Sequence, residues 1–230
     1  LQTGGGSQLV VGYLASQGDR YLAVYSYTGG EVSAILEQSY EQYLVEDITG
    51  GGNQDLILMS TLEDGGVQIE LLIVDRNGTF QQVAVMGLSA DKFSGCASVA
   101  AGLGADGKHY LVLDGWTGIS GNNLATVLLY FDEESQQMVP AKQIRADELY
   151  QETLRNVPGL VSRDLDGDGT VEIPTQPDEA GLLNMSQSRR MDFIVWMDYT
   201  SPEPKKSFGL MDEEINCYIE LPAEWEGNLM

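Results

Sequence analysis

Asp164-Leu165-Asp166-Gly167-Asp168-Gly169-Thr170-Val171-Glu172 sets four carboxylates and two glycines within nine residues. Three aspartates alternate and a glutamate closes the run. Carboxylates crowded this way repel one another unless a cation sits among them. Gly167 and Gly169 allow the tight backbone turn that aims alternate residues inward. The stretch therefore reads as a hard-cation loop, for Ca²⁺ before Mg²⁺. Asp164, Asp166 and Asp168 would offer side-chain oxygens, Thr170 its backbone carbonyl, and Glu172 the closing carboxylate.

Weaker echoes of this loop organise the rest of the chain. Thr3-Gly4-Gly5-Gly6-Ser7-Gln8 returns as Thr49-Gly50-Gly51-Gly52-Asn53-Gln54, and an apolar run follows each. On that frame Asp47 matches Asp164, Gly52 matches Gly169, and Asp55 matches Glu172. A further copy runs from Gly102 through Asp106-Gly107 to Leu113. The frames start near residues 1, 47, 102 and 164, at spacings of 46, 55 and 62 residues. That is the size of a four-stranded unit with variable loops.

Each loop is followed by a hairpin pattern. Tyr21 to Tyr27 and Val32 to Leu36 flank Thr28-Gly29-Gly30, and Ile69 to Asp75 and Phe80 to Val85 flank Asn77-Gly78. Ala125 to Phe131 pairs with Met138 to Lys142, and Phe193 to Tyr199 with Ser207 to Met211. Tyr43 to Val45, Ala97 to Val99 and Leu160-Val161 read as strands leading into the loops. Several strands, such as Leu71 to Val74 and Val127 to Tyr130, are apolar on both faces and must be covered on both. The expectation is an all-β chain, a β-propeller or part of one, with about four repeats of four-stranded antiparallel blades. Residues 1–230 form a single domain in this reading. The first copy lacks its leading strand, which implies the C-terminal part of a longer chain. Ala146 to Arg155 has helical spacing and reads as a short inserted helix. Asp178 to Arg190 is a polar loop, and Ile215 to Leu221 one more strand.

Composition narrows the function classes. Thirty-five acidic against twelve basic residues give a net charge of −23, a field that repels nucleic acid and anionic membranes. An apolar content of 43% suits a folded core. No run of apolar residues is long enough to span a membrane, and no signal segment is apparent. Cys96 and Cys217 fit no metal spacing, and the sequence leaves open whether they pair.

The motif Asp-Leu-Asp-Gly-Asp-Gly-x-x-Glu-Ile at Asp164 to Ile173 resembles the FG-GAP/VCBS repeat of integrin-α-like β-propellers. The resemblance implies Ca²⁺ held by Asp164, Asp166, Asp168, Thr170 and Glu172, with Glu172 replacing the more usual Asp. It also implies an empty loop at Asp47, where Thr49 and Gly51 stand in carboxylate positions. The chain as a whole is similar to the repeat-bearing part of secreted proteins and lipoproteins of Gram-positive gut bacteria. An extracellular or cell-envelope location and a protein or glycan partner at the cell surface follow from that resemblance. An EF-hand is disfavoured, because its twelfth position is Thr175 and its flanks are not helical.

Catalytic patterns are sparse. His109 is the sole histidine, and no Gly-x-Ser-x-Gly or His-Glu-x-x-His occurs. Trp116, in a stretch with Gly115, Gly118, Asn122 and Asn123, is a candidate for stacking on a sugar. The preferred expectation is a non-enzymatic binding module with a calcium-stabilised loop. The alternative is a carbohydrate-active lyase or hydrolase with acids gathered at a propeller mouth.

Overall fold

Within each sheet, backbone pairing runs between strands adjacent in sequence, so the chain lays down one antiparallel meander after another. The computed structural model describes residues 2–3, 6–16, 18–63, 65–75, 78–118, 122–157, 159–177, 192–212, 215 and 217–226. The first sheet holds β1 (Gln2–Thr3), β2 (Gly6–Leu14), β3 (Arg20–Thr28) and β4 (Glu31–Ser39). It is in effect three-stranded, since β1 contributes only Gln2 and Thr3 to the ladder. The second holds β5 (Gln42–Glu46), β6 (Asp55–Thr61), β7 (Val67–Val74) and β8 (Phe80–Leu88). The third holds β9 (Phe93–Leu103), β10 (His109–Thr117), β11 (Asn123–Asp132) and β12 (Gln137–Pro140). The fourth holds β13 (Ile173–Thr175), β14 (Asp192–Met197), β15 (Lys205–Asp212) and β16 (Cys217–Glu220).

Alternation along single strands explains how the sheets stack. In β6, Leu56 and Leu58 join Leu22 and Val24 of the first sheet, while Ile57 and Met59 turn the other way toward the third. In β10, Leu111 and Leu113 face the second sheet, and Tyr110 and Val112 face Val171 and Ile173. The two middle sheets are thus covered on both sides, which is why their strands are continuously apolar. Full burial of each such side chain is favourable by about 1.5–3 kcal/mol.

The propeller expectation is corrected here. Buried clusters join sheet one to two, two to three, and three to four. Among the described residues no cluster joins the fourth sheet to the first, and the sheets do not close into a ring. The outer face of the first sheet instead carries exposed Leu9, Tyr13 and Tyr27. The FG-GAP/VCBS β-propeller resemblance therefore does not describe this fold, which is an open, all-β series of four unequal antiparallel sheets. The physical reason is that repeated loops and hairpins encode each sheet, whereas closure depends on angles between sheets that no local pattern carries.

Three local expectations also change. The first sheet does have a leading strand, the short β1. Leu160-Val161 is not a strand: Leu160 packs with Val157 on Ile194 and Trp196, and only Arg163 bridges Glu172. The helix α1 (Ala146–Glu152) stops short of Arg155. Thr153 closes it by giving its Oγ1 proton to the Leu149 carbonyl at 2.7 Å, and Arg155 then pairs its backbone with Leu124. Asp147 and Glu148 in the first turn favour the helix through its dipole. The expected loop at Asp178 to Arg190 lies outside the described residues.

Candidate metal centre

The acidic loop is anchored from below before it begins. Asp114, near the end of β10, accepts hydrogen bonds from the backbone N–H and the hydroxyl of Ser162, at 2.5 and 2.9 Å. Arg155 gives its Nε proton to the Leu160 carbonyl at 2.6 Å. The stem leading to Asp164 is therefore clamped to the third sheet. At its far end the Arg163–Glu172 bridge closes the loop, with backbone bonds of 3.1 and 3.0 Å.

Inside the loop each acid is shaped by backbone donors. Asp164 accepts from Gly167 N at 2.7 Å and Gly169 N at 3.0 Å, one on each oxygen. Asp166 accepts from Asp168 N at 3.2 Å, and Asp168 from Thr170 N at 2.8 Å. Glu172 is buried and accepts from Leu165 N at 2.8 Å. Gly169 sits at φ +90°, a conformation open to glycine and strained for other residues.

Asp164, Asp166 and Glu172 converge: one carboxylate oxygen from each lies within 4.8 Å of the others. Ca²⁺ holds its oxygens at about 2.3–2.6 Å, so two ligands on opposite sides stand roughly 4.6–5.2 Å apart. The three oxygens fit one such coordination shell, and the cluster can coordinate a metal ion. Asp168 is not in this group, and one of its oxygens accepts from Thr170 N. The Thr170 hydroxyl donates to the Leu103 carbonyl at 3.2 Å. The third-sheet loop is thereby docked on the acidic one, with Leu103 N also bonding the Gly169 carbonyl at 2.9 Å. A Cβ on Gly102 would lie 2.7 Å from that same carbonyl oxygen, so the close approach requires glycine.

The loop at Asp47 repeats two of these backbone-to-acid bonds. Gly52 N bonds Asp47 at 2.7 Å as Gly169 N bonds Asp164. Ile48 N bonds Asp55 at 2.9 Å as Leu165 N bonds Glu172. The sequence alignment of these two frames thus corresponds to matching geometry. Asp55 is buried, and burial pushes its carboxyl above the usual range against the lowering effect of its bonds to Thr49 and Ile48. Thr49 and Gly51 bring no carboxylates to that loop.

The other candidates fall elsewhere. His109 starts β10 on a groove of about 480 Å³ beside Gly50, Lys108 and the turn at Asp132 to Glu134. Lys108 there stacks over Tyr130, 4.5 Å from the ring centre. Trp116 is half-buried in β10, paired with Leu124 and Gly95. The clamp built on Asp114 and Arg155 was not foreseen from sequence. Its signal was there, since Asp114 interrupts the apolar run Leu111-Val112-Leu113, and a charge in such a strand demands a buried partner. No family model matches the chain, and no curated protein matches it either.

Proposed function

We propose that this chain is a non-enzymatic interaction module whose loop at 164–172 binds Ca²⁺ as a structural ion. The convergence of Asp164, Asp166 and Glu172 carries this reading. The ion would neutralise three neighbouring carboxylates and tie the Arg163–Glu172 bridge to the turn at Gly167 to Gly169. Water and the Thr170 carbonyl would complete the shell. The loop leads directly into β13 of the fourth sheet, a connection that an ion would stiffen, so a structural role suits it better than a chemical one. The absence of nucleophile and zinc motifs in the sequence supports a binding role, with a protein or glycan at the cell surface as partner. The test is thermal unfolding in EDTA and in excess Ca²⁺. At a hundredfold excess over Kd the ion adds about 2.7 kcal/mol, which is roughly 5–10 °C for a domain of this size. Asp166→Ala at the same Ca²⁺ concentration lowers the shift to about half or less. An identical melting temperature with and without Ca²⁺ in the unmutated protein would refute the proposal.

A further inference from the structure

Between the second and third sheets lies a pocket unrelated to the acidic loop. Its volume is about 220 Å³, and α1 forms one side. Met86, Leu88, Phe93, Leu128, Ile144 and Leu149 make its walls. Phe93, Leu88, Leu128 and Leu149 are themselves buried, so the walls are fixed by the core rather than by mobile surface groups. One charged side chain lines the space, Lys92. Its ammonium lies 5.3 Å from the centre of the Tyr150 ring, which also lines the pocket. Its ion-pair partner is Asp147, on the first turn of α1. Both members of that pair are open to water, with 43% and 74% of their side chains exposed. Such pairs are weak and readily exchanged.

From this arrangement we infer that the pocket binds a small monocarboxylate with an apolar body, its carboxylate replacing Asp147 on Lys92. The walls reward an apolar body and offer few polar partners along it. The cation at the mouth selects an anionic head, and Tyr150 holds that cation over the opening. Size follows from volume. A cavity of about 150 Å³ lined by Leu, Ile and Phe takes up benzene, so this one has room for about nine heavy atoms. The carbons of an eight-carbon fatty acid fit that space, with the carboxylate oxygens at the mouth beside Lys92. Elsewhere a chain of net charge −23 repels such an anion, so binding should be confined to one site.

Isothermal titration of the whole chain with octanoate, 1-octanol and acetate tests this. Octanoate binds at one site per chain, octanol at least tenfold more weakly, and acetate not measurably. Lys92→Met lowers octanoate affinity about tenfold and leaves octanol unchanged, while Asp147→Asn raises octanoate affinity by removing its competitor. Ala146→Trp, at an exposed position on the rim, blocks both ligands without touching the core. Absence of octanoate binding overturns the inference. So does octanoate binding that survives Ala146→Trp, or that is indifferent to both Lys92→Met and Asp147→Asn. None of these readouts depends on Ca²⁺, so the pocket and the acidic loop stand or fall separately.

Discussion

Arg155 and Asp114 form an ion pair sealed from water: Nη2 lies 2.7 Å from Oδ1, and the two side chains are 0% and 1% exposed. The Nη2 contact is held by charge and not by an aligned hydrogen bond. The directed bonds go elsewhere, from Nε to the Leu160 carbonyl and from Nη1 to Thr126 and the Thr153 carbonyl. Thr126 in turn donates to Asp114 at 2.6 Å. One carboxylate thus gathers a strand of the third sheet, the segment after α1, and the stem of the acidic loop.

Removing one member strands the other in a dry site. Asp114→Ala should cost about 3–5 kcal/mol, read by urea denaturation. The double replacement Asp114→Leu with Arg155→Met should recover much of that loss, since no charge is then left buried. A double variant as unstable as the single one would show that the Ser162 bonds, not the charge, dominate.

The ligand set separates the geometry from the sequence pattern. Asp166→Ala and Glu172→Gln should each weaken Ca²⁺ about tenfold or more, the equivalent of at least about 1.4 kcal/mol. Asp168→Ala should weaken it far less, because Asp168 stands outside the convergent group. Calcium titration of the three variants checks the order. Equal losses from all three would restore Asp168 as a ligand.

The thiols should differ sharply in reactivity. Cys96 and Cys217 are both free, Cys96 buried and Cys217 half-buried. Burial first, then the charges of Glu41 and Asp114, pushes the Cys96 thiol far up, so it stays protonated and inert at neutral pH. Ellman titration at pH 8 should find one thiol per native chain and two in urea. Two fast thiols in the native protein would contradict the packing around Cys96.

Asp55 gives a pH signature. Its carboxyl is raised in the folded state by burial, so the fold binds that proton more tightly than the unfolded chain does. The stabilisation is complete below the ordinary carboxylate range and is lost as pH rises through the elevated value. Asp55→Asn keeps an acceptor for Ile48 N and Thr49 N without the charge. Going from pH 7 to pH 4, the wild type should gain stability relative to this variant. Urea curves for both proteins at each pH measure the difference.

How far the sequence could be read depended on the range of the interaction. Hairpins were legible because their turns are local: Thr28-Gly29-Gly30 does join β3 to β4. The kinship of the Asp47 and Asp164 loops was legible for the same reason, down to the glycine that serves each aspartate. Leu160-Val161 misled because two apolar residues suit a strand or a packed coil equally, and contact with Trp196 decided for the coil. Of the alternating acids, the structure brings Asp164 and Asp166 together with Glu172, while an oxygen of Asp168 accepts from Thr170 N. The arrangement of the sheets lay beyond the sequence altogether, being set by interfaces such as that between Val24 and Leu56.

Because the buried clusters join the described sheets neighbour to neighbour, stability should be shared along the series much as in a row of coupled beads. The inner two gain from interfaces on both sides, whereas the first gains from one. Fraying should accordingly start in the Tyr-rich strands near the N-terminal end and move inward, with β6, β10 and β11 the last to open.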